Sequence, residues 1–486
     1  STLLFLIEIQ LISTIPFKCG TNDLLKKIKI KSVDLGKKRN LQTEQFNSIN
    51  IKIDTTQLES QRNVQNSGLI DKVNQALSQV NDEYSGLLKV SSSDELKISK
   101  ELINLCGINK FDQSITTGIK ADLIIFPSLE DLSEGAIAAA TSCLVQTSDK
   151  RPVLGLVYIN KSNLNIQNSD NFVEYLKITL FHELTHVLVF HPALIESFTG
   201  KEIQTVKGSN GNTYYGLSTP KVMEKARKHF NCNSLTEMYL ENQGGTGSAG
   251  SHWEARFMLG DYMISTSYPE MVISDITLAL FEDSGWYKVN YYTGGLFRFG
   301  KGRGCSFFSE KCVSNGNTQF PNEFCLKGSE DRCSSGHLFT GYCYLRTYND
   351  EIPNQYQYFS NKKEGGFTPA DYCPVFMANN TQTVYTTSCK IGNPKYGNAK
   401  ELGETIGENS ICVMSSLIPK SASQDLSSYT SSRAICHQME CDFQNKQTKI
   451  KIGSNTIICP SNGGTIKDPN NFTGQIECPE FNIVCT

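Results

Sequence analysis

The sequence predicts an α+β chain with a long amphipathic helix in its first half and a disulfide-rich domain at its C-terminal end. Three observations carry this. Phe181-His182-Glu183-Leu184-Thr185-His186-Val187 sets two imidazoles four residues apart, inside an apolar stripe of helical period. From Ile49 to Asp54 apolar and polar residues alternate, as in a half-buried strand. Thirteen of the 17 cysteines lie between Cys305 and Cys485.

Taken in order, the chain opens on an apolar stretch, Leu3 to Ile7 with Leu11 and Ile12, interrupted by Glu8 and Gln10. It reads as the trimmed remnant of a signal peptide over residues 1–15. Residues 16–45 follow as a pro-segment, Lys-rich from Lys26 to Arg39, in which Lys37-Lys38-Arg39 forms an exposed processing point. The strand at Ile49 to Asp54 then starts a domain expected over 46–192.

The helix of that domain is bounded by Asn171 with Glu174 three residues later, a capping-box pattern, and by Pro192, which cannot continue the hydrogen-bond ladder. Val173, Leu176, Leu180, Leu184, Val187 and Leu188 form its apolar face. One helical turn separates His182 from His186, so both reach a single metal ion. Glu183, beside that face, is placed to take a proton from water and deliver it to a leaving amine. With 7 histidines in 486 residues, this motif would arise by chance in roughly one such sequence in a few hundred.

A zinc hydrolase usually has three protein ligands and one position for water. A short continuation, with glycine at position 189 and histidine at 192, is excluded by Val189 and Pro192. A glutamate on a second helix is the next option, yet Phe198-Thr199-Gly200 interrupts the pattern around Glu196 and Glu202. The last is a distant histidine after an insertion, which leads to Gly247-Ser248-Ala249-Gly250-Ser251-His252-Trp253-Glu254.

The segment from Glu241 to His252 resembles the third-ligand region of the leishmanolysin family, surface and secreted zinc peptidases of the metzincin type. Sixty-five residues separate His186 from His252, and Met263 follows eleven residues on. Segments Ile276 to Tyr287, Gly304 to Cys312, Gly135 to Cys143 and Val153 to Asn160 are also similar to family segments in matching order. The resemblance covers about residues 47 to 312. It implies zinc held by His182, His186 and His252, catalysis by Glu183, and a Met-turn at Met263. The implied fold is a metzincin-like catalytic domain, a twisted mixed sheet plus the active-site helix, with a long insertion. A central subdomain over 193–300 would carry the third ligand and Met-turn, followed by a cysteine-rich domain over 301–486. Two positions depart from the family. Val189 stands where it has glycine, so the helix is expected to run on to His191; Thr21 stands where it has a histidine.

Seventeen cysteines without a CxxC pair point to disulfides in an oxidising compartment. The resemblance pairs Cys106 with Cys143 and leaves Cys232 for a downstream cysteine. From Cys106 onward the count is 16, which leaves Cys19 over. Its position matches the family's pro-segment cysteine, so it is a candidate cysteine switch, a thiolate that occupies the open zinc position.

A hydrophobic content of 39% supports a sizeable core, and 486 residues imply two or three domains. The net charge of −3 argues against a nucleic-acid partner. No run of 18 apolar residues is present to span a membrane, and the chain as given stops at Thr486 without the apolar tail of a lipid anchor. Sequons at Asn160, Asn379 and Asn471 suit export, Asn160 lying close to a strand end. The expectation is a secreted or cell-surface zinc metalloendopeptidase acting on proteins or peptides, associated with membrane or matrix. The resemblance also implies that substrate lies extended along the edge strand near Gly135 to Thr141. The alternative is an inactive scaffold serving adhesion, for which Val189 speaks.

Overall fold

The computed structural model describes residues 19, 28–35, 45–91, 95–132, 136–161, 172–243, 249–266, 268, 271–291, 297–328, 330–377, 387–397, 399–423 and 425–485. The apolar leader, Lys37-Lys38-Arg39, Thr21, Gly135, Asn171 and Asn379 lie outside them.

A mixed five-stranded sheet forms the floor of the first half. Its strands are β1 (Lys31–Val33), β3 (Ile51–Ile53), β5 (Leu123–Glu130), β6 (Ala138–Gln146) and β7 (Pro152–Asn160), in the order β1-β6-β7-β5-β3. β6 runs antiparallel to β7, and the other pairs are parallel. The three inner strands are apolar on both faces, as fits a sheet covered on both sides. β2 (Phe46–Ser48) and β4 (Leu88–Ser91) belong to a separate three-stranded sheet completed by Tyr287–Val289. The alternation from Ile49 to Asp54 thus yields a shorter strand, Ile51–Ile53, with Asp54 beyond its end accepting from the Thr56 and Asp112 amides.

One face of the main sheet is covered by helices α1 (Ser67–Leu87) and α2 (Phe172–Leu188), which pack on each other. α2 carries the HExxH residues and presses close to β7 at Gly155, where an added Cβ would lie 2.3 Å from Val187 Cγ1. The opposite face holds a smaller core built on Ile98, Ile103, Phe126 and Val153 and stapled by the Cys106–Cys143 disulfide.

α2 ends at Leu188, not at Pro192. The Val189 and Phe190 amides both donate to Thr185 O at 2.9 Å, and Val189 is not among the residues with positive φ. Pro192 instead opens a second helix, α3 (Pro192–Thr199), as its first-turn proline, with His191 as N-cap and left-handed Gly200 as C-cap. Proline at a first turn lacks only an amide that would have had no helical partner. Glu196 therefore does sit on a second helix, but it points to solvent.

Beyond it, β8 (Gln204–Lys207), β9 (Thr213–Leu217) and β10 (Met238–Leu240) form a three-stranded sheet, with α4 (Pro220–Phe230) inserted before β10. Helices α5 (Ala255–Met258) and α6 (Asp275–Asp283) follow. The main core continues into Phe307, Phe308, Phe320 and Phe324. Six antiparallel strands between Ser410 and Cys478 make a further sheet with its own core.

Sixteen cysteines form eight disulfides, six of them within residues 312–485. Cys232 pairs with Cys305 and ties the insertion to the cysteine-rich part. By length and composition Val173–Thr199 would suffice to cross a membrane, but 83% of its apolar window is buried in the protein. It is the core of the fold, broken between α2 and α3.

Candidate metal centre

His182 and His186 project from α2, and His252 arrives from the segment after β10. The three Nε2 atoms lie 3.1, 3.2 and 3.3 Å apart. All three residues, and Glu183, are fully buried. Cys19, 1% exposed, brings its Sγ to 3.5 Å from His186 Nε2. The four ligand atoms all lie within 4.8 Å of one another.

The hydrogen bonds at the other ring nitrogens decide what this cluster can hold. His182 Nδ1 lies 2.6 Å from the Tyr262 carbonyl and His186 Nδ1 2.7 Å from the Phe190 carbonyl. A carbonyl only accepts, so these Nδ1 atoms carry the protons. Burial holds both rings neutral: it pushes His182 well below its usual range and His186 to about 4. The two Nε2 atoms are then bare lone pairs facing each other and His252 Nε2. Such an arrangement calls for a cation between them. Tetrahedral zinc, at about 2.05 Å from nitrogen and about 2.3 Å from sulfur, would set N···N near 3.3 Å and N···S near 3.5 Å. The three N···N distances and the distance from Cys19 Sγ to His186 Nε2 are close to these values.

Each ligand is held by a partner that the motif does not reveal. Met263 is fully buried and one residue from the carbonyl that orients His182. Its own carbonyl accepts from the Trp253 amide (3.0 Å), which ties this turn to the residue after His252. Asp261 pins the turn, accepting from Met263 N (2.7 Å) and Thr277 Oγ1 (2.8 Å). Ser251 Oγ stands 3.0 Å from His252 Nδ1. Behind α2, Tyr84 and Tyr262 reach Thr185 Oγ1 at 2.6 and 3.0 Å. Tyr84, Tyr262 and Asp261 were missed in the sequence because no spacing links them to the motif. The buried Tyr84 and Thr185 lie on apolar helix faces, a weak signal that a polar pair crosses the core.

The remaining histidines stand apart. His191 caps α3 through Nδ1, while His229, His337 and His437 each bond a backbone carbonyl and are held neutral by burial. A cleft of about 250 Å³ in the cysteine-rich part contains none of the clustered residues. Its Arg303 and Arg332 are already paired with Glu323, Glu330 and Glu477.

β6 leads towards the cluster: Ile137, just before it, contacts Cys19, and Ser142 Oγ donates to Val187 O on α2 at 2.5 Å. β6 is not the outermost strand along its whole length. β1 adds to it in parallel at Leu144, Val145 and Gln146. Asn160, at the end of β7, is 1% exposed and its amide nitrogen donates to Ala136 O, so this sequon is closed to modification; Asn471 is exposed.

Among the described residues, fold and cluster define a core organised around one buried candidate metal centre. A family model described as leishmanolysin matches residues 68–486. The chain is 30% identical to a leishmanolysin homolog of Crithidia fasciculata over 79% of its length and 58% of the relative's. It is 28% identical to leishmanolysin of Leishmania tropica over 80% and 59%, and 30% identical to a leishmanolysin-like peptidase of Caenorhabditis elegans over 64% and 58%. The chain therefore belongs to the leishmanolysin family of zinc metallopeptidases. It spans about three fifths of the length of these relatives.

Proposed function

We propose that this chain is a zinc metalloendopeptidase of metzincin type, held latent by Cys19. The observation that carries the reading is the buried set of three neutral imidazoles with Nε2 atoms 3.1 to 3.3 Å apart, next to Glu183 on the same helix. His182, His186 and His252 hold the metal, and Met263 lies in the turn that orients His182. Bound zinc supplies a Lewis acid and a water of lowered pKa.

Glu183 takes the proton of the attacking water and returns it to the departing amine. The peptide would extend along β6 near Ala138 to Thr141, with main-chain hydrogen bonds fixing its position. Cys19, beside His186, fills the fourth position and excludes that water. Eight disulfides support a secreted or cell-surface location, since such bonds persist where the environment is oxidising. The adhesion-scaffold alternative drew on Val189, and the turn there is made without left-handed backbone.

The deciding experiment is cleavage of an unfolded protein by zinc-loaded chain freed of its first 45 residues, beside Glu183→Gln. Activity in the first and a loss of at least 10²-fold in the second, at equal zinc content, are expected. Equal activity in both, or none in either with zinc bound, overturns the peptidase assignment. In the intact chain, Cys19→Ser is expected to cleave without processing, whereas a variant as silent as the parent removes the latch.

A further inference from the structure

The cysteine-rich part of the chain reaches back to the loop that delivers His252. Asp371 is fully buried and adopts left-handed backbone, φ 55°, followed by Tyr372 at φ 58°. Two such non-glycine residues in succession persist only where the surroundings impose them. Here Cys373 is bonded to Cys312, the Gly366 amide donates to Tyr372 O (2.7 Å), and the Phe367 amide donates to Cys373 O (2.9 Å). Gly366 has no alternative, since a Cβ there would lie 2.1 Å from Cys373 O.

The turn holds the His252 loop at both ends. At the near end, Asp371 Oδ1 accepts from Gln243 Nε2 (2.9 Å), while Oδ2 accepts from Tyr214 Oη (2.6 Å) and Asn212 Nδ2 (3.3 Å). The Gln243 amide donates to Glu241 Oε1 (2.8 Å), whose other oxygen takes Ser265 Oγ (3.0 Å). The Glu241 amide donates to the carbonyl of His252 itself (2.9 Å). At the far end, the short 3-10 turn Thr368–Ala370 packs on α5, which begins three residues after His252.

We propose that Asp371 is a positioning residue for the third metal ligand: through Gln243 and Glu241 it holds the main chain that aims His252 at the two helix histidines. This rests on the zinc reading above. A cysteine-rich domain outside the catalytic sheet thereby completes the metal site.

The test is metal affinity and ligand geometry in the intact chain, read by chelator competition for zinc and by the visible absorption of bound cobalt. Asp371→Ala and Gln243→Ala are expected to weaken zinc binding about 10- to 100-fold, as loss of an outer partner of a ligand does. Both should also shift the cobalt spectrum. Asp371→Asn should recover most of the affinity, because its oxygen still accepts from Tyr214 and the Gln243 amide can turn over to offer its own oxygen. Parental affinity and an unchanged cobalt spectrum in the folded alanine variants, with only a lower melting temperature, would make Asp371 a plain structural strut and overturn the proposal. Should Asp371→Ala fail to fold, Gln243→Ala decides alone. A parent chain that binds neither metal sinks the zinc reading and this proposal with it, an outcome distinct from selective weakening in the variants.

Discussion

At the residue scale, the clustered histidines show how a ligand set is prepared before any ion arrives. His182 and His186 commit their Nδ1 protons to backbone carbonyls, which leaves two lone pairs converging on His252 in a dry core. Removing the cation leaves that repulsion without compensation. The metal-free chain is therefore expected to unfold at lower denaturant than the loaded one, by about 4 kcal/mol when free zinc stands at a thousand times its dissociation constant; coincident urea curves with and without chelator would contradict this.

Away from the centre, His437 offers a cleaner titration. Burial lowers it to about 4, against about 6.5 in an unfolded chain. Between these values the unfolded state binds the extra proton, so this residue's contribution is complete above pH 6.5 and is lost as pH falls towards 4. The stability gap between the parent and His437→Asn should shrink by about 3 kcal/mol from pH 7 to pH 4. A gap independent of pH would refute it. His182, His186 and His252 were legible in the sequence because side-chain spacing or family resemblance marks them. The carbonyls of Tyr262 and Phe190 were not, because any residue supplies a carbonyl and only the folded path aims it.

At the scale of elements, the site depends on how closely α2 lies on the sheet. Gly155 admits Val187 so tightly that a methyl group there must displace one or the other. Overpacking of this kind typically costs about 1–3 kcal/mol. Gly155→Ala should therefore lower the unfolding free energy by that amount and weaken zinc binding as His186, one residue before Val187, is lifted. Gly155→Ala with Val187→Ala should restore the metal affinity; no recovery would mean that the glycine matters for backbone freedom alone. The apolar stripe made α2 readable, but its end was misplaced. Proline reads as a stop, whereas at position 192 it starts α3. Phe198-Thr199-Gly200 reads as an interruption, whereas Gly200 is the left-handed cap of a helix already eight residues long. Both errors share a cause: the same residue types end one helix and begin the next, and only the backbone path separates the two roles.

At the scale of the whole molecule, the main core does not stop where the cysteines become dense. Phe307, Phe308, Phe320 and Phe324 belong to it, and the Cys232–Cys305 and Cys312–Cys373 bridges bind the later chain to the elements around His252. The cysteine count made a stapled region legible, but the pairing was not, since sequence order does not say which strands become neighbours. Pairing sets how much each bridge restrains the unfolded chain. Cys333–Cys412 spans 79 residues and Cys325–Cys343 only 18. In the chain-entropy model these correspond to about 4.5 and about 3 kcal/mol. Replacing each pair by alanines should therefore destabilise the chain more for the longer loop, read as the loss in unfolding free energy under non-reducing conditions. The shorter bridge packs with Phe376 in a small cluster of its own, while the longer one joins strand Asp331–Cys333 to strand Ser410–Ser415 of the six-stranded sheet. A larger loss from Cys325→Ala with Cys343→Ala would mean that native packing around the sulfurs, rather than restraint of the unfolded chain, is what these staples contribute.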